Sequence, residues 1–412
     1  MKANKLFSPA LLVPLTLLTP YVFVAQYGIS VLELVVFSFV LLILIRPGKQ
    51  TIPHIPTFLF IFLCLYAAGF LGALINGALA WGVPVGYWNM GFFYKLLLAL
   101  GAFWLGTNNT RSIAEILKNR WVKFAILALC ILALVYPFLS FDFRMKYLSV
   151  FFGGEGIEEN FHNPRMPGVG INNVIYSFML VCFLIVSFQA FLNKNISLLI
   201  PTALLLTILS LSSKLAIGLG VLSCFILFLA KIVPRHAAIP YRNIKLLAGL
   251  GLIVLVAGFI LTQTEFGLKI QQSYATVQRF EAAFAEDHDE PVGFELRFLR
   301  WAQGIERVQL APLLGIAKDP FLSQEGPLVG FYKPHSEWIR IWMFYGMAGL
   351  VAWLLLVTAM IILNMKNKIQ LEWVLLYFSF VGFMLYDGGV DAPRFVPFWF
   401  YLIGLNYSLI RK

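Results

Sequence analysis

The sequence KPHSEWIRIWMFYGMAGL, residues 333–350, marks the point where a long polar stretch gives way to apolar residues. The polar stretch begins near Gln263 and is the longest non-membranous segment of the chain. From Glu337 onward the residues are apolar over a length sufficient to cross a bilayer. Packing alone does not explain so polar a segment in an apolar chain, so we look for the chemistry of the protein at this boundary.

The composition indicates a membrane protein. Of the 412 residues, 60% are hydrophobic and 12% are charged, and the mean hydropathy is +0.82. Long apolar stretches at this density are typical of polytopic membrane proteins. The four cysteines all lie in apolar runs and form no CxxC pair, so the sequence predicts neither a disulfide framework nor a zinc site.

The apolar runs predict an all-α polytopic fold with about twelve membrane-spanning helices. These runs are 9–26, 29–45, 54–75, 88–106, 119–139, 171–192, 196–211, 214–232, 244–262, 337–363, 370–386 and 395–410. The chain then divides into three parts. Residues 1–262 hold nine spans and an outer loop at 141–170, residues 263–336 form a large outer helical loop, and residues 337–412 hold the last three spans.

The distribution of basic residues predicts the orientation of these spans. With the N-terminus in the cytoplasm, most lysines and arginines fall on the inner side, where the only acids are Glu115 and Glu372. This asymmetry is the one that the positive-inside rule describes. Both termini are then cytoplasmic and the large loops face outward. The net charge of +11 is therefore a topology signal, and we expect no nucleic-acid partner.

One segment of the large loop has the periodicity of an amphipathic helix. Apolar residues recur there at helical spacing beside a basic stripe. The apolar stripe is Phe294, Phe298, Trp301, Ile305 and Val308, and the basic stripe is Arg297, Arg300, Gly304 and Arg307. We expect this helix to lie on the bilayer surface with its arginines toward an outer cavity, and Pro312 to end it.

Several cations on the outer side outline a site for an anionic group. Arg165 lies in a Pro/Gly-rich turn, and Lys214 follows a very short outer turn. Singly, each is equally compatible with an ordinary interfacial cation. Lys95 lies inside an apolar span just below the outer surface, where it either extends to the interface or serves a function. Together with Arg297 and Arg300, these cations suit an anionic lipid head such as a polyprenyl diphosphate.

His335 is the candidate general base. An unperturbed histidine titrates near pH ~6.5, so at neutral pH it can accept a proton from an attacking hydroxyl. The alternative is a helix-end histidine that only caps or packs. Asp387 either orients His335 or the acceptor, or forms a local ion pair with Arg394. The acidic run 286–290 contains a D-x-D pattern but reads as a solvated segment, so we predict no metal site.

These features resemble the O-antigen ligase family, within a superfamily of polymerases and ligases that transfer lipid-linked glycans. The ligase signature is a histidine followed by Asn, Ser or Gln, nine residues, a glycine, two residues, and a small residue or tyrosine. His335-Ser336, Glu337–Tyr345 and Gly346-Met-Ala-Gly349 fit this signature.

Other parts of the chain are similar to the same family. Residues 294–304 followed by Pro312-Leu-Leu-Gly315 resemble its arginine helix and Pro/Gly turn, and Arg165 and Lys95 match further family positions. Where the family usually has an arginine, this chain has Ser213-Lys214. Lysine keeps the charge but not the bidentate recognition of phosphate.

The resemblance implies a glycosyltransferase of the membrane C type, inverting and independent of metal or cofactor. It transfers a glycan from undecaprenyl diphosphate to a sugar hydroxyl of the lipid A core, in the membrane lipid of a bacterial inner membrane and on its periplasmic face. His335 is then the general base and Arg297 the second catalytic residue. The substrate-binding residues are Arg165, Lys214, Lys95 and Arg300, and the supporting residues are Glu337 and Asp387.

Three alternatives stay open. An O-antigen or exopolysaccharide polymerase of the same superfamily would use the same residues on a second lipid-linked chain, and a protein O-oligosaccharyltransferase would differ in its acceptor. A twelve-span transporter or flippase would show two similar halves and charges near the midplane. The single lopsided outer domain disfavours the transporter.

Overall fold

The computed structural model describes residues 21–24, 27–45, 55–81, 90–108, 113–143, 173–211, 214–232, 294–316, 336–367, 371–386 and 395–411. They fall into two compact units that alternate along the sequence. The first unit consists of Met1–Val31 and Arg111–Glu290, and the second of Leu32–Thr110 and Pro291–Lys412. The division at residues 262 and 336 remains a prediction.

The described part of the first unit begins with a short hairpin where the sequence predicts a helix. Strands β1 (Tyr21–Val24) and β2 (Tyr27–Ser30) pair antiparallel, from Tyr21 opposite Ser30 to Val24 opposite Tyr27. The predicted span 9–26 is therefore wrong for residues 21–24, and the fold is predominantly rather than entirely α. Aromatic and β-branched residues favour an extended backbone, and a short apolar run does not by itself distinguish a strand from a helix.

The remaining elements are helices. In chain order they are α1 (Val31–Ile45), α2 (Thr57–Trp81), α3 (Met90–Thr107), α4 (Ile113–Leu117), α5 (Arg120–Val135), α6 (Asn173–Leu192), α7 (Leu199–Ser210), α8 (Lys214–Ile232), α9 (Phe294–Leu310), α10 (Glu337–Lys366), α11 (Leu371–Tyr386) and α12 (Phe395–Ile410). Two helical segments of three residues, Tyr136–Phe138 and Phe141–Phe143, follow α5.

Four of the described helices are long and apolar enough to cross a membrane. The spanning segments are Thr57–Gly77, Ile175–Leu192, Leu215–Ile232 and Glu337–Lys366. Shorter apolar helices cover Phe92–Thr107, Leu199–Ser210, Leu371–Leu385 and Phe395–Ile410. The sequence therefore located these apolar helices correctly, whereas the run 244–262 lies outside the described residues and the number of twelve spans stays a prediction.

The first unit is built around α6. Its side chains from Ile175 to Phe188 are all buried, as expected for a helix that is apolar on every face. It packs against α7 and α8. Beyond its end, the Asn193 side chain accepts a hydrogen bond from Lys231 (3.1 Å) and that of Asn195 accepts one from Lys118 (3.4 Å). Lys118 and Lys231, both predicted to be cytoplasmic, thus lie at one end of this unit.

The second unit contains two close helix pairs, α2 with α10 and α3 with α12. Glycine permits this proximity because it has no side chain between the two backbones. A Cβ on Gly69 of α2 would lie 2.5 Å from the carbonyl oxygen of Tyr345 in α10. A Cβ on Gly404 of α12 would collide with the carbonyl oxygen of Phe103 in α3.

A buried polar cluster joins the cytoplasmic ends that the sequence predicts for α10, α11 and α12. The Asn364 and Asn406 side chains exchange two hydrogen bonds, of 2.8 and 3.0 Å. Asn364 also donates to the Met360 carbonyl, and the Tyr377 hydroxyl donates to Asn406. Because both amides are fully buried, each depends on the other for part of its hydrogen bonding.

Candidate active site

The arginine helix predicted from the sequence is present as α9, Phe294–Leu310, which ends two residues before Pro312. The predicted stripes need one correction. Gly304, assigned to the basic stripe, is buried together with Val308, whereas Ile305 of the apolar stripe is 44% exposed. Because Gly304 has no side chain, neighbouring residues can approach the backbone of α9 closely at this position. Arg300 is half-buried. Arg297 belongs to the same helix, and its side chain lies outside the described residues.

The chain after α9 turns sharply and docks onto α10. Gly315 adopts a left-handed backbone conformation, with φ of +80°, and its N–H donates to the Ala311 carbonyl at 2.8 Å. Glycine is favoured at such a position because a Cβ would be strained there. The Trp342 indole N–H in α10 donates to the Pro312 carbonyl at 3.0 Å. The residues that resemble the family's Pro/Gly turn are therefore in contact with the signature helix.

Gly346, the glycine of the signature, interrupts α10. Its φ of +63° and ψ of −166° are not helical, although helix continues on both sides. In a regular helix the Met347 N–H would donate to the Met343 carbonyl. Here Met347 N–H donates instead to the carbonyls of Pro312 (3.1 Å) and Leu313 (3.2 Å), and the Met343 carbonyl accepts from Ile316 N–H (2.8 Å). The turn therefore supplies both hydrogen bonds that the break leaves open.

The start of α10 carries a buried ion pair. Ser336 occupies the N-cap position, and Glu337, a predicted supporting residue, is fully buried. Arg340 lies one turn later and its Nη2 is 2.5 Å from the Glu337 Oε1. Arg340 is not among the site residues predicted from the sequence. The reasoning that selected Lys95, a cation inside an apolar run, would also have found it.

The ion pair borders a small cavity. Its volume, about 10 Å³, suits one water-sized group. The residues that line it are Tyr66, Glu337, Arg340, Ile341, Phe344, Tyr345 and Trp353. The indole N–H of Trp353 is buried and has no hydrogen-bond partner among the described residues. The cavity is thus lined by a carboxylate, a guanidinium and an indole at the start of the helix that follows His335-Ser336.

Lys95 lies one helical turn after Phe92, a residue of α3 that packs beside this cavity. The Phe92 ring stacks on Phe70, with centroids 3.9 Å apart, and contacts the cavity residues Tyr66 and Tyr345. Lys95 itself is half-buried. These contacts place its turn of α3 beside Tyr345 of α10, and its position in the substrate site stays a prediction.

The residue before Lys95 has a buried acidic partner. The Tyr94 hydroxyl donates to the Glu33 Oε1 at 2.7 Å, and Glu33 is 3% exposed. The sequence analysis did not single out Glu33. A carboxylate inside an apolar helix is the signal that would have indicated it.

The structure describes the other predicted site residues only in part. Arg165, His335 and Asp387 lie outside the described residues. Lys214 is the first residue of α8 in the first unit, and its side chain is not described. The described residues thus bring Lys95, Arg300 and Glu337 into one unit, and the role of every predicted site residue stays a prediction.

Comparison with known families supports the interpretation of these elements. The model of a family described as O-antigen ligase matches residues 196–354. The resemblance to the O-antigen ligase family is confirmed. The match covers Lys214, the arginine helix α9, the Pro/Gly turn and the signature through Gly349. A search of curated proteins found no match. The apolar helices and the O-antigen ligase match together point to a multi-pass membrane protein whose residues 196–354 are similar to the O-antigen ligase family.

Proposed function

We propose that this protein transfers O-antigen polysaccharide from undecaprenyl diphosphate to a sugar hydroxyl of the lipid A core, on the periplasmic face of the inner membrane. The observation that supports the proposal most directly is the docking of the Pro/Gly turn into the break at Gly346. It joins the two segments that resemble the family's arginine helix and histidine signature, and both lie within the matched residues.

The proposed reaction is an inverting displacement that needs one base. His335 accepts the proton of the acceptor hydroxyl, and the hydroxyl oxygen attacks the anomeric carbon of the donor. The bond between that carbon and the diphosphate oxygen breaks, and undecaprenyl diphosphate leaves with the electron pair. A diphosphate leaves as an anion, so fixed cations replace the general acid that a glycosidase requires.

The cations have distinct positions in this scheme. Arg297 is the second catalytic residue, and it holds the diphosphate of the donor together with Arg165, Lys214, Lys95 and Arg300. Half-burial of Lys95 and Arg300 supports the assignment, because a phosphate oxygen is held more strongly by cations that water screens poorly. No metal or cofactor has a step in the proposed reaction.

The buried pair of Glu337 and Arg340 supports His335 from the first turn of α10. Arg340 is an ion-pair partner of the carboxylate, and an acid in the first turn of a helix interacts favourably with the helix dipole. Glu337 is two residues from His335 in the sequence, and we assign the pair a supporting role for the base. Asp387 is the second proposed supporting residue.

Complementation in a strain that lacks its own ligase tests the proposal. We expect wild-type protein to restore lipopolysaccharide ladders and an equally well inserted His335→Ala variant to restore none. His288→Ala is the matched control, because His288 lies in the acidic run 286–290 and has no proposed role. An active His335→Ala protein would contradict the mechanism.

The same strains distinguish the alternative, a polymerase of the same superfamily. If wild-type protein gives no ladders in the ligase-deficient strain but restores chain elongation in a polymerase-deficient strain, the acceptor is a second lipid-linked chain. Ladders in the ligase-deficient strain assign the lipid A core as acceptor.

A further inference from the structure

We infer that Asn76 is a positioning residue for glycan transfer, acting through the contact between the Pro/Gly turn and the signature helix. This inference rests on the proposed function. Asn76 lies in α2, and its side-chain N–H donates to the carbonyl of Gly315 at 2.8 Å. The two residues are 239 positions apart in the sequence.

One face of α2 lies along the joint, which we define as the turn 311–316 together with the break at Gly346. Gly69, Gly72 and Asn76 are spaced as one helical face. A Cβ on Gly69 would lie 2.5 Å from the Tyr345 carbonyl oxygen, and a Cβ on Gly72 would lie 3.2 Å from the Leu314 side chain. Asn76 continues this face with its hydrogen bond to Gly315.

The polar side chain of Asn76 costs free energy in an apolar helix, and packing alone does not explain its presence. Helix α2 is 25 residues long, contains no charged residue and is one of the segments able to span a membrane. An amide in such a helix is stable only if it finds a hydrogen-bond partner. Its partner is the carbonyl of a glycine with positive φ, the residue that turns the chain from α9 toward α10.

The hydrogen bond therefore restrains the turn from a third element. Within the turn, the Gly315 N–H donates to the Ala311 carbonyl, and the Ile316 N–H donates to the Met343 carbonyl of α10. Asn76 of α2 donates to the Gly315 carbonyl. Helix α9 carries Arg300 on one side of the turn, and α10 carries Glu337 and Arg340 on the other. The separation between the arginine helix and the base thus depends on how rigidly the turn is held.

Transfer requires the arginines at the diphosphate and the base at the hydroxyl at the same moment. A misplacement of about 1 Å in such an arrangement can lower the rate roughly a hundredfold. Loss of the Asn76 hydrogen bond should accordingly lower kcat while leaving KM for the lipid-linked donor nearly unchanged, since the donor-binding cations themselves remain.

Asn76→Asp tests the inference with full-length protein in lipid nanodiscs. The substitution keeps the shape of the side chain, removes the N–H donor and places an oxygen against the Gly315 carbonyl. We expect kcat with undecaprenyl diphosphate-linked glycan and lipid A core to fall roughly ten- to a hundredfold. Asn76→Gln, which keeps an amide donor, should recover part of this loss.

Asn108→Asp is the matched control. The Asn108 amide also donates to a backbone carbonyl, that of Trp104 at 3.0 Å, but at the exposed end of its own helix. We expect this variant to keep wild-type kcat. Normal kcat in Asn76→Asp, or a loss that only follows the fraction of unfolded protein, would overturn the inference.

Hydrogen exchange gives a readout that does not depend on the reaction. In Asn76→Asp the peptide containing residues 311–316 should exchange faster than in wild type, and in Asn108→Asp it should not. Unchanged exchange in Asn76→Asp would also overturn the inference. If wild-type protein transfers no glycan, the proposed function fails, whereas the exchange result still decides whether Asn76 holds the turn.

Discussion

A side chain on Gly315 would need space that Gly346 occupies, and a side chain on Gly346 would need space that Leu313, in the turn before Gly315, occupies. A Cβ on Gly315 would lie 2.6 Å from the Gly346 nitrogen, and a Cβ on Gly346 would collide with the Leu313 carbonyl. Both residues have positive φ, +80° and +63°. Gly346 of the signature and Gly315 of the Pro/Gly turn thus both lie where the turn packs against α10. This relationship gives a physical reason for both glycines.

Substitution of Gly346 should therefore damage both stability and activity. In Gly346→Ala the backbone strain alone should cost about 1–3 kcal/mol, and the contact with Leu313 adds to it. We expect a lower thermal midpoint in detergent and loss of ladders in complementation.

Gly218→Ala is the control for that experiment. A Cβ on Gly218 of α8 meets no atom within 4 Å, so alanine there should leave stability unchanged or slightly raised. If Gly346→Ala were as stable and active as Gly218→Ala, the joint would not be important for the fold or the reaction.

The Asn364–Asn406 pair should behave as a stability element without a role in chemistry. Asn406→Leu leaves the fully buried Asn364 amide without its partner, which should cost about 1–3 kcal/mol. The double variant Asn364→Leu, Asn406→Leu leaves neither amide unsatisfied and should recover part of the loss. Thermal unfolding of wild type, Asn364→Leu, Asn406→Leu and the double variant measures this cycle. A loss in the double variant equal to the sum of the two single losses would show that the two amides do not stabilise each other.

Local patterns predicted much of the fold because their causes are local. The apolar runs located α2 and α10, and helical spacing located α9. Hydrophobicity did not locate the hairpin at residues 21–30, since aromatic and β-branched residues are compatible with both states. A glycine within an apolar run, such as Gly346, is compatible with an unbroken helix.

The candidate site was less accessible to sequence reasoning. The signature and the arginine helix could be identified from their residues. The hydrogen bond between Asn76 and Gly315 could not, because no periodicity relates positions 239 residues apart. Arg340 could have been predicted: it lies three residues after Glu337, on the same face of a helix.

Lysine at position 214 tests the proposed binding of the donor. The family usually has arginine there, and both side chains carry the positive charge that a diphosphate requires. We expect Lys214→Arg to keep or improve transfer and Lys214→Gln to lower it about tenfold or more, mainly through KM for the lipid-linked donor. Lys231→Gln, at the other end of α8, is the control and should leave KM unchanged. Wild-type KM in Lys214→Gln would remove Lys214 from the donor site.

The buried pair of Glu337 and Arg340 makes the sharpest prediction about α10. Arg340→Gln leaves the Glu337 carboxylate buried without its ion-pair partner, which should destabilise the protein by about 3–5 kcal/mol and abolish transfer. The double variant Glu337→Gln, Arg340→Gln removes both charges and should be more stable than Arg340→Gln alone. Thermal midpoints and complementation of the four proteins in this cycle measure the coupling.

Lys366→Gln controls for loss of a positive charge in the same helix, since Lys366 is exposed in the last turn of α10. It should leave stability and ladders unchanged. The double variant also separates stability from chemistry. If its stability recovers while transfer stays low, the charged pair supports the base directly. Full transfer in the double variant would instead limit the pair to a role in folding.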